Sequence, residues 1–132
     1  MKSLPTLFLS ILLILLLSGC SDQAEPEKVA VKKPVFHEFD DANLKFGRSV
    51  WLGTCKNCHA FGFGGAPEVD DPEAWMPRID QGKPVLYEHA IKGFFGPDDA
   101  MMPARGGNEQ LSDDEVRAAV DYMVALVQFN SQ

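Results

Sequence analysis

The chain has 132 residues, of which 45% are hydrophobic, 23% charged and 10% aromatic, and its formal net charge is -7. That length has room for one domain and not for a multidomain enzyme, and the apolar fraction excludes wholesale disorder. So acidic a chain has little electrostatic grip on phosphate backbones, so nucleic acid is not expected as a partner.

Residues 1–19 read as an export signal. Lys2 supplies a positive start, and Leu7 to Leu17 is an apolar run broken only by Ser10. The run is shorter than the roughly 20 residues that span a hydrocarbon core, and Pro5 lies just upstream. Leu17, Ser18, Gly19 and Cys20 resemble the bacterial lipobox. That resemblance implies acylation of Cys20 and cleavage before it, with an ordinary signal peptide cut nearby as the alternative. Asp22 resembles the residue that retains such lipoproteins at the inner membrane, which would place the chain on its periplasmic side. Losing residues 1–19 removes Lys2 and takes the net charge from -7 to -8. Residues 20–36 then form the lipidated N-terminus and a tether, mixed in charge and punctuated by Pro26 and Pro34. Fully stretched, the fifteen residues from Ser21 to Val35 reach at most about 50 Å, and as a flexible coil about 20 Å.

Residues 37–132 read as one all-α domain, its helices joined by glycine-rich loops. From about Asp41 to Cys55, Leu44, Gly47, Val50 and Trp51 share one helical stripe, and Gly47 lies one turn from Trp51, where a small residue permits close helix crossing. Pro72 opens a short helix through Trp75, which Pro77 is expected to interrupt. Pro84 suits the first turn of a helix through Leu86, Ala90 and Ile91, with Gly93 as its left-handed terminator. The clearest helix comes last. Ser112 and Glu115 make a capping box, Asp113 and Asp114 favour the positive end of the dipole, and Val116, Ala119, Val120, Met123 and Val127 recur at helical spacing. No alternating stretch argues for a sheet. The first and last helices carry the longest apolar stripes and are expected to pack together. So small a domain, rich in Gly and Pro, buries little surface by itself, and a further group is expected to fill its middle.

The chemistry lies in Cys55-Lys56-Asn57-Cys58-His59. Two thiols three apart, followed at once by histidine, suit a c-type haem: each sulfur can add to one vinyl group while the imidazole reaches the iron. A thioredoxin-like pair would expect a strand before the motif, and a helical pattern precedes it here. Zinc would need two further ligands, and His37 and His89 have no supporting spacing; an ordinary solvent-facing or partly buried role suits both better. With His59 on one side, the iron takes a second protein ligand or keeps an open position. Met101 and Met102, before Pro103, offer thioethers.

The order of helix, CxxCH, Gly65-Ala66-Pro67, Trp75-x-x-Arg78, helix, Met-Pro loop and Ser112-Asp113-Asp114-Glu115 helix resembles a class I c-type cytochrome of the cytochrome c5 family, over about residues 38–129. The resemblance implies one haem c held by Cys55 and Cys58, His59 as proximal ligand and Met102 as distal ligand, with Met101 as its neighbour and rival. It implies that the Pro67 carbonyl accepts the other ring N–H of His59. It places Trp75, Arg78, Leu86 and Tyr87 on the pocket wall, with Arg78 beside a propionate. Gly47 and Trp51 match the family's crossing of the first and last helices, with Tyr122 and Leu126 opposite. Many members carry a cysteine pair where this chain has Asn108 and Leu111, so its methionine loop lacks that staple, and Gly106 and Gly107 loosen the expectation of a rigid loop further.

With both axial positions filled, the expected role is a one-electron carrier and not an enzyme, with no small-molecule substrate. The resemblance implies redox proteins as partners, such as a quinol-oxidising cytochrome complex and a terminal oxidase or periplasmic reductase. The mature charge would favour a basic docking face on them. A haem peroxidase or gas-binding sensor with a labile sixth ligand is one alternative. An electron-transfer subunit of a larger respiratory complex is the other.

Overall fold

Asp41 starts the first helix by accepting a 2.9 Å hydrogen bond from the Leu44 amide, and α1 runs Ala42–Gly53 in the computed structural model, which describes residues 36–132. The export signal, Cys20 and the tether up to residue 35 lie outside the described residues; the tether's expected last residue, Phe36, packs against Trp51 and so belongs to the domain. No helix among the described residues is long and apolar enough to cross a membrane. After Cys55 comes a single turn, α2 (Lys56–His59). Asp71 caps α3 (Pro72–Ile79) by accepting from Ala74 at 3.0 Å, with Pro72 in its first turn. Helix α4 spans Lys83–Lys92 and α5 spans Asp113–Asn130. The capping box of α5 is complete: Ser112 Oγ accepts from the Glu115 amide at 3.3 Å, and the Glu115 carboxylate accepts from the Ser112 amide at 2.8 Å.

Three expectations need correction. Helix α3 continues through Pro77 to Ile79 instead of stopping there. Pro77 lies on an exposed face together with Glu73, whose carbonyl the proline leaves without its helical donor. Gly93 has φ 86° and ψ 162°, a glycine-only extended conformation and not the left-handed helical one. The domain also contains a small sheet: β1 (Phe94–Phe95) pairs antiparallel with β2 (Met101–Met102), Phe94 facing Met102 and Phe95 facing Met101. Two residues per strand are too few for alternation to show in the sequence.

The crossing of α1 and α5 organises the core. Gly47 lies against the Ala118–Ala119 backbone, and one turn on, the rings of Trp51 and Tyr122, both fully buried, meet with centroids 5.5 Å apart. Leu126, Val127, Val69 and Trp75 complete this cluster. Phe36 stacks edge-on against Trp51 at 4.8 Å, and the Tyr122 hydroxyl donates to the His37 carbonyl at 2.9 Å. A second cluster joins Leu86 and Ala90 of α4 to Val116, Val120 and Val124 of α5, with Met102 packed on it.

Asp121 ties three helices on the outside of this cluster. Its carboxylate accepts from Lys83 Nζ and the Tyr87 hydroxyl, both at 2.7 Å, and from Asn43 Nδ2 at 3.2 Å. The Tyr87 hydroxyl is thus held by Asp121, while its side chain packs on the Leu86 cluster. Burial alone would raise the Asp121 pKa, but these donors outweigh it and hold the carboxyl below its ordinary 3.8. Asp121→Ala is expected to cost about 2 kcal/mol near neutral pH, and thermal melts of the two proteins give the difference. Because the folded pKa is depressed, the contribution is complete above the ordinary carboxylate value and disappears as pH falls through the folded one. The gap between the two melting curves should close in acid.

Candidate haem site

Helix α1 delivers Cys55 half-buried just past its C-terminus, and α2 carries Cys58 to an exposed position and His59 to a buried one. Burial raises the Cys55 thiol to about 11, helped by the nearby Cys58. A thioredoxin-like pair needs the opposite, a thiol lowered into the neutral range, and the element before the motif is a helix. Zinc fares no better. Among the described residues no group of three or more His, Cys, Asp or Glu gathers to hold an ion.

His59 is only 6% exposed. Its Nδ1–H donates to the Pro67 carbonyl at 3.0 Å, which fixes the ring and leaves Nε2 with its lone pair free to ligate. Burial pushes the imidazole pKa down, against the Pro67 hydrogen bond and with the help of the Arg78 charge, which favours the neutral ring. The Val69 amide donates to the His59 carbonyl at 2.8 Å, closing the loop that brings Pro67 back to the histidine.

An apolar cleft opens beside Cys55. Val50, Cys55, Ala90, Val116, Val120 and Met123 form its walls, and Met102 and Arg105 close it. The cleft therefore brings together Cys55 and Met102, far apart in sequence. The β1–β2 pair decides which methionine is available: Met102 is half-buried and packs on the Leu86 cluster, whereas Met101 is 56% exposed on the other face of its strand. Trp75 is buried with its ring 5.8 Å from that of His59, and its Nε1–H has no hydrogen-bond partner. Arg78, one turn further along α3, spends one nitrogen on the Ala74 carbonyl. A buried N–H without an acceptor and a guanidinium near the histidine, together with an apolar cleft at Cys55, suit a flat apolar group bearing carboxylates. The residues present fit a haem.

Of the other residues singled out, His37 stacks on Phe129 at 3.9 Å and His89 on Phe94 at 4.0 Å; both are half-buried packing residues. Two contributors went unread in the sequence. Asp121 sits among apolar neighbours on α5 with no periodic signal of its own. Arg105 reaches Asp113 across a loop that has no helical register.

A family model described as cytochrome c oxidase, cbb3-type, subunit III matches residues 42–123. Cytochrome c-555 of Chlorobaculum tepidum is 47% identical over 78 residues, covering 59% of this chain and 71% of that protein. The chain belongs to the class I c-type cytochromes. Cytochrome c5 of Ectopseudomonas mendocina is 36% identical over 74 residues, covering 54% of this chain and 79% of its own, so the c5 resemblance is real and the c-555 likeness is stronger. Among solved structures, a chain from the crystal structure of an electron transfer complex of nitrite reductase with cytochrome c superposes with a TM-score of 0.55 at 35% identity. It covers 62% of this chain and 94% of that one.

This cytochrome carries one haem c, attached through Cys55 and Cys58, and works as an electron carrier. The bound haem supplies an iron that alternates between two oxidation states. The chain supplies the rest: Cys55 and Cys58 fix position, Pro67 orients His59, and the walls from α1, α4 and α5 exclude water.

Proposed function

We propose that this cytochrome is a membrane-anchored periplasmic carrier whose iron is held between His59 and Met102, and that it moves single electrons between respiratory redox proteins. The observation that carries the reading is the shared cleft: Met102 closes the same apolar space that Cys55 opens, while Met101 faces outward. With both axial positions taken, no site is left for a substrate to bind iron, so the protein exchanges electrons without transforming a molecule. Trp75 and Arg78 serve the propionates, and Leu86 packs behind the methionine.

Docking would occur where apolar side chains reach solvent around the motif. Phe61 and Phe63 follow it directly, at 54% and 66% exposure, and Gly65 of the same loop lies against Ala100, next to Met101. Small contacts of this kind release quickly, as a carrier requires. The partners are a quinol-oxidising cytochrome complex on one side and a terminal oxidase or reductase on the other. The crystallised complex of nitrite reductase with a similar cytochrome supports the second class. The anchor is Cys20, after removal of residues 1–19.

A ferric spectrum of the mature holoprotein tests the coordination. A sulfur-to-iron charge-transfer band, with no binding of carbon monoxide to the ferrous form, is expected; high-spin iron or rapid cyanide binding would favour the peroxidase or sensor reading. Fractionation tests the anchor: the wild type should sediment with membranes and Cys20→Ser should not, and a soluble wild type defeats the anchor. The family model's description as an oxidase subunit favours a second reading, a fixed subunit of a larger complex. A stoichiometric partner retained through gentle detergent extraction would establish it.

A further inference from the structure

We propose that Arg105 is a positioning residue that clamps the methionine loop onto α5 and so sets how tightly Met102 is held against the cleft. This rests on Met102 being the distal ligand. Arg105 stands three residues after Met102 and lines the same cleft. Its guanidinium donates to the Leu111 carbonyl at 2.8 Å and to Asp113 Oδ1 at 2.6 Å, with only 25% of its side chain exposed. Leu111 and Asp113 flank the Ser112 cap of α5, so the guanidinium fastens the loop to the start of that helix. The backbone cooperates: the Arg105 carbonyl accepts from the Asn108 amide, and the Asn108 carbonyl from the Leu111 amide, both at 3.2 Å.

The clamp works against an unfavourable backbone. Arg105 has φ 53° and ψ 28°, a left-handed conformation that side chains with a β-carbon rarely adopt, and Gly106 follows in the same region. A β-carbon on Gly106 would lie 2.9 Å from Thr54 Cγ2, so at this point the loop touches the residue before Cys55. A bidentate guanidinium is the side chain suited to hold such a turn, because its fork meets two acceptors in a fixed geometry. Where Asn108 and Leu111 leave the loop without a covalent staple, Arg105 closes the same segment by hydrogen bonds.

Imidazole titration of the ferric holoprotein reads the clamp, because added imidazole competes with the thioether. If the clamp holds Met102 in place, Arg105→Ala should raise the population with a released thioether and tighten apparent imidazole binding about tenfold. Asp113→Asn should tighten it about threefold, and Arg105→Lys should fall between wild type and Arg105→Ala. The double variant Arg105→Ala/Asp113→Asn should equal Arg105→Ala, since both lie on one contact. Arg117→Ala removes ion pairs to Asp113 and Asp114 without touching the loop and should leave the affinity unchanged. Amide exchange should quicken in residues 104–111 and stay slow in α5. If Arg105→Ala yields no holoprotein, Arg105→Lys and Asp113→Asn decide by the same readouts. Imidazole affinity and loop exchange within twofold of wild type in these variants would overturn the clamp. A wild type lacking the sulfur-to-iron band would instead overturn the ligand assignment.

Discussion

Replacing Gly47 by alanine is expected to cost this cytochrome about 3 kcal/mol or more, enough to lower the holoprotein's melting temperature by about 12 °C or more. The added β-carbon would lie 1.9 Å from the Ala118 carbonyl oxygen and 2.5 Å from its carbon, where an ordinary contact begins at 3.4 Å. Both atoms belong to the backbone of α5, so no rotamer change relieves the overlap. The helices would have to part by roughly 1.5 Å, loosening Trp51 and Tyr122, which sit fully buried in the same seam. Gly53→Ala is the matched control. Nothing lies within 4 Å of the position, and its φ is ordinary, so alanine there should be neutral or stabilising by up to about 1 kcal/mol. Circular dichroism melts and haem yield per chain measure both. Equal melting temperatures for wild type and Gly47→Ala would mean that the helices do not cross this closely.

The second large effect concerns the two methionines. Met102→Ala should abolish the sulfur-to-iron band, admit cyanide and carbon monoxide, and lower the midpoint potential by on the order of 0.2 V, given that axial ligands span about 0.8 V. Met101→Ala should keep the band and shift the potential little. The difference arises from strand alternation: opposite Phe94, Met102 turns to the Leu86 cluster, and opposite Phe95, Met101 turns to solvent. For Met101 to replace Met102, β2 would have to slip by one residue, sending every side chain in it to the other face. A retained band in Met102→Ala, together with its loss in Met101→Ala, would reverse the assignment.

Much of this was legible in the chain. The capping box at Ser112, the stripe from Gly47 to Trp51 and the CxxCH motif each carry their geometry in local spacing, and α5, α1 and the buried His59 follow from them. Family likeness added Pro67, whose carbonyl meets His59 at 3.0 Å, a contact across eight residues that no periodicity encodes. Local rules fell short where solvent or distant partners intervened. Pro77 stays helical on an exposed face, where both it and Glu73, whose carbonyl it orphans, lie at the surface. The β1–β2 pair is too short to leave a pattern. Asp121 and Arg105 are ordinary polar residues by any local rule, and only tertiary placement gives each of them several partners. At Gly106 the loop runs so close to Thr54 that a β-carbon would lie 2.9 Å from its Cγ2, a proximity no local pattern announces.

The docking of Phe36 and His37 has a mechanical consequence. Any pull that enters the described residues at Phe36 is taken up by Trp51 and by the hydroxyl of Tyr122, at the crossing of α1 and α5. Shear there is opposed by a seam in which Gly47 lies against the α5 backbone and Trp51 and Tyr122 are fully buried. The methionine strand, late in the chain and bound to other partners, lies off that load path, so a pull on Phe36 loads the helix crossing and not the strand that carries Met102.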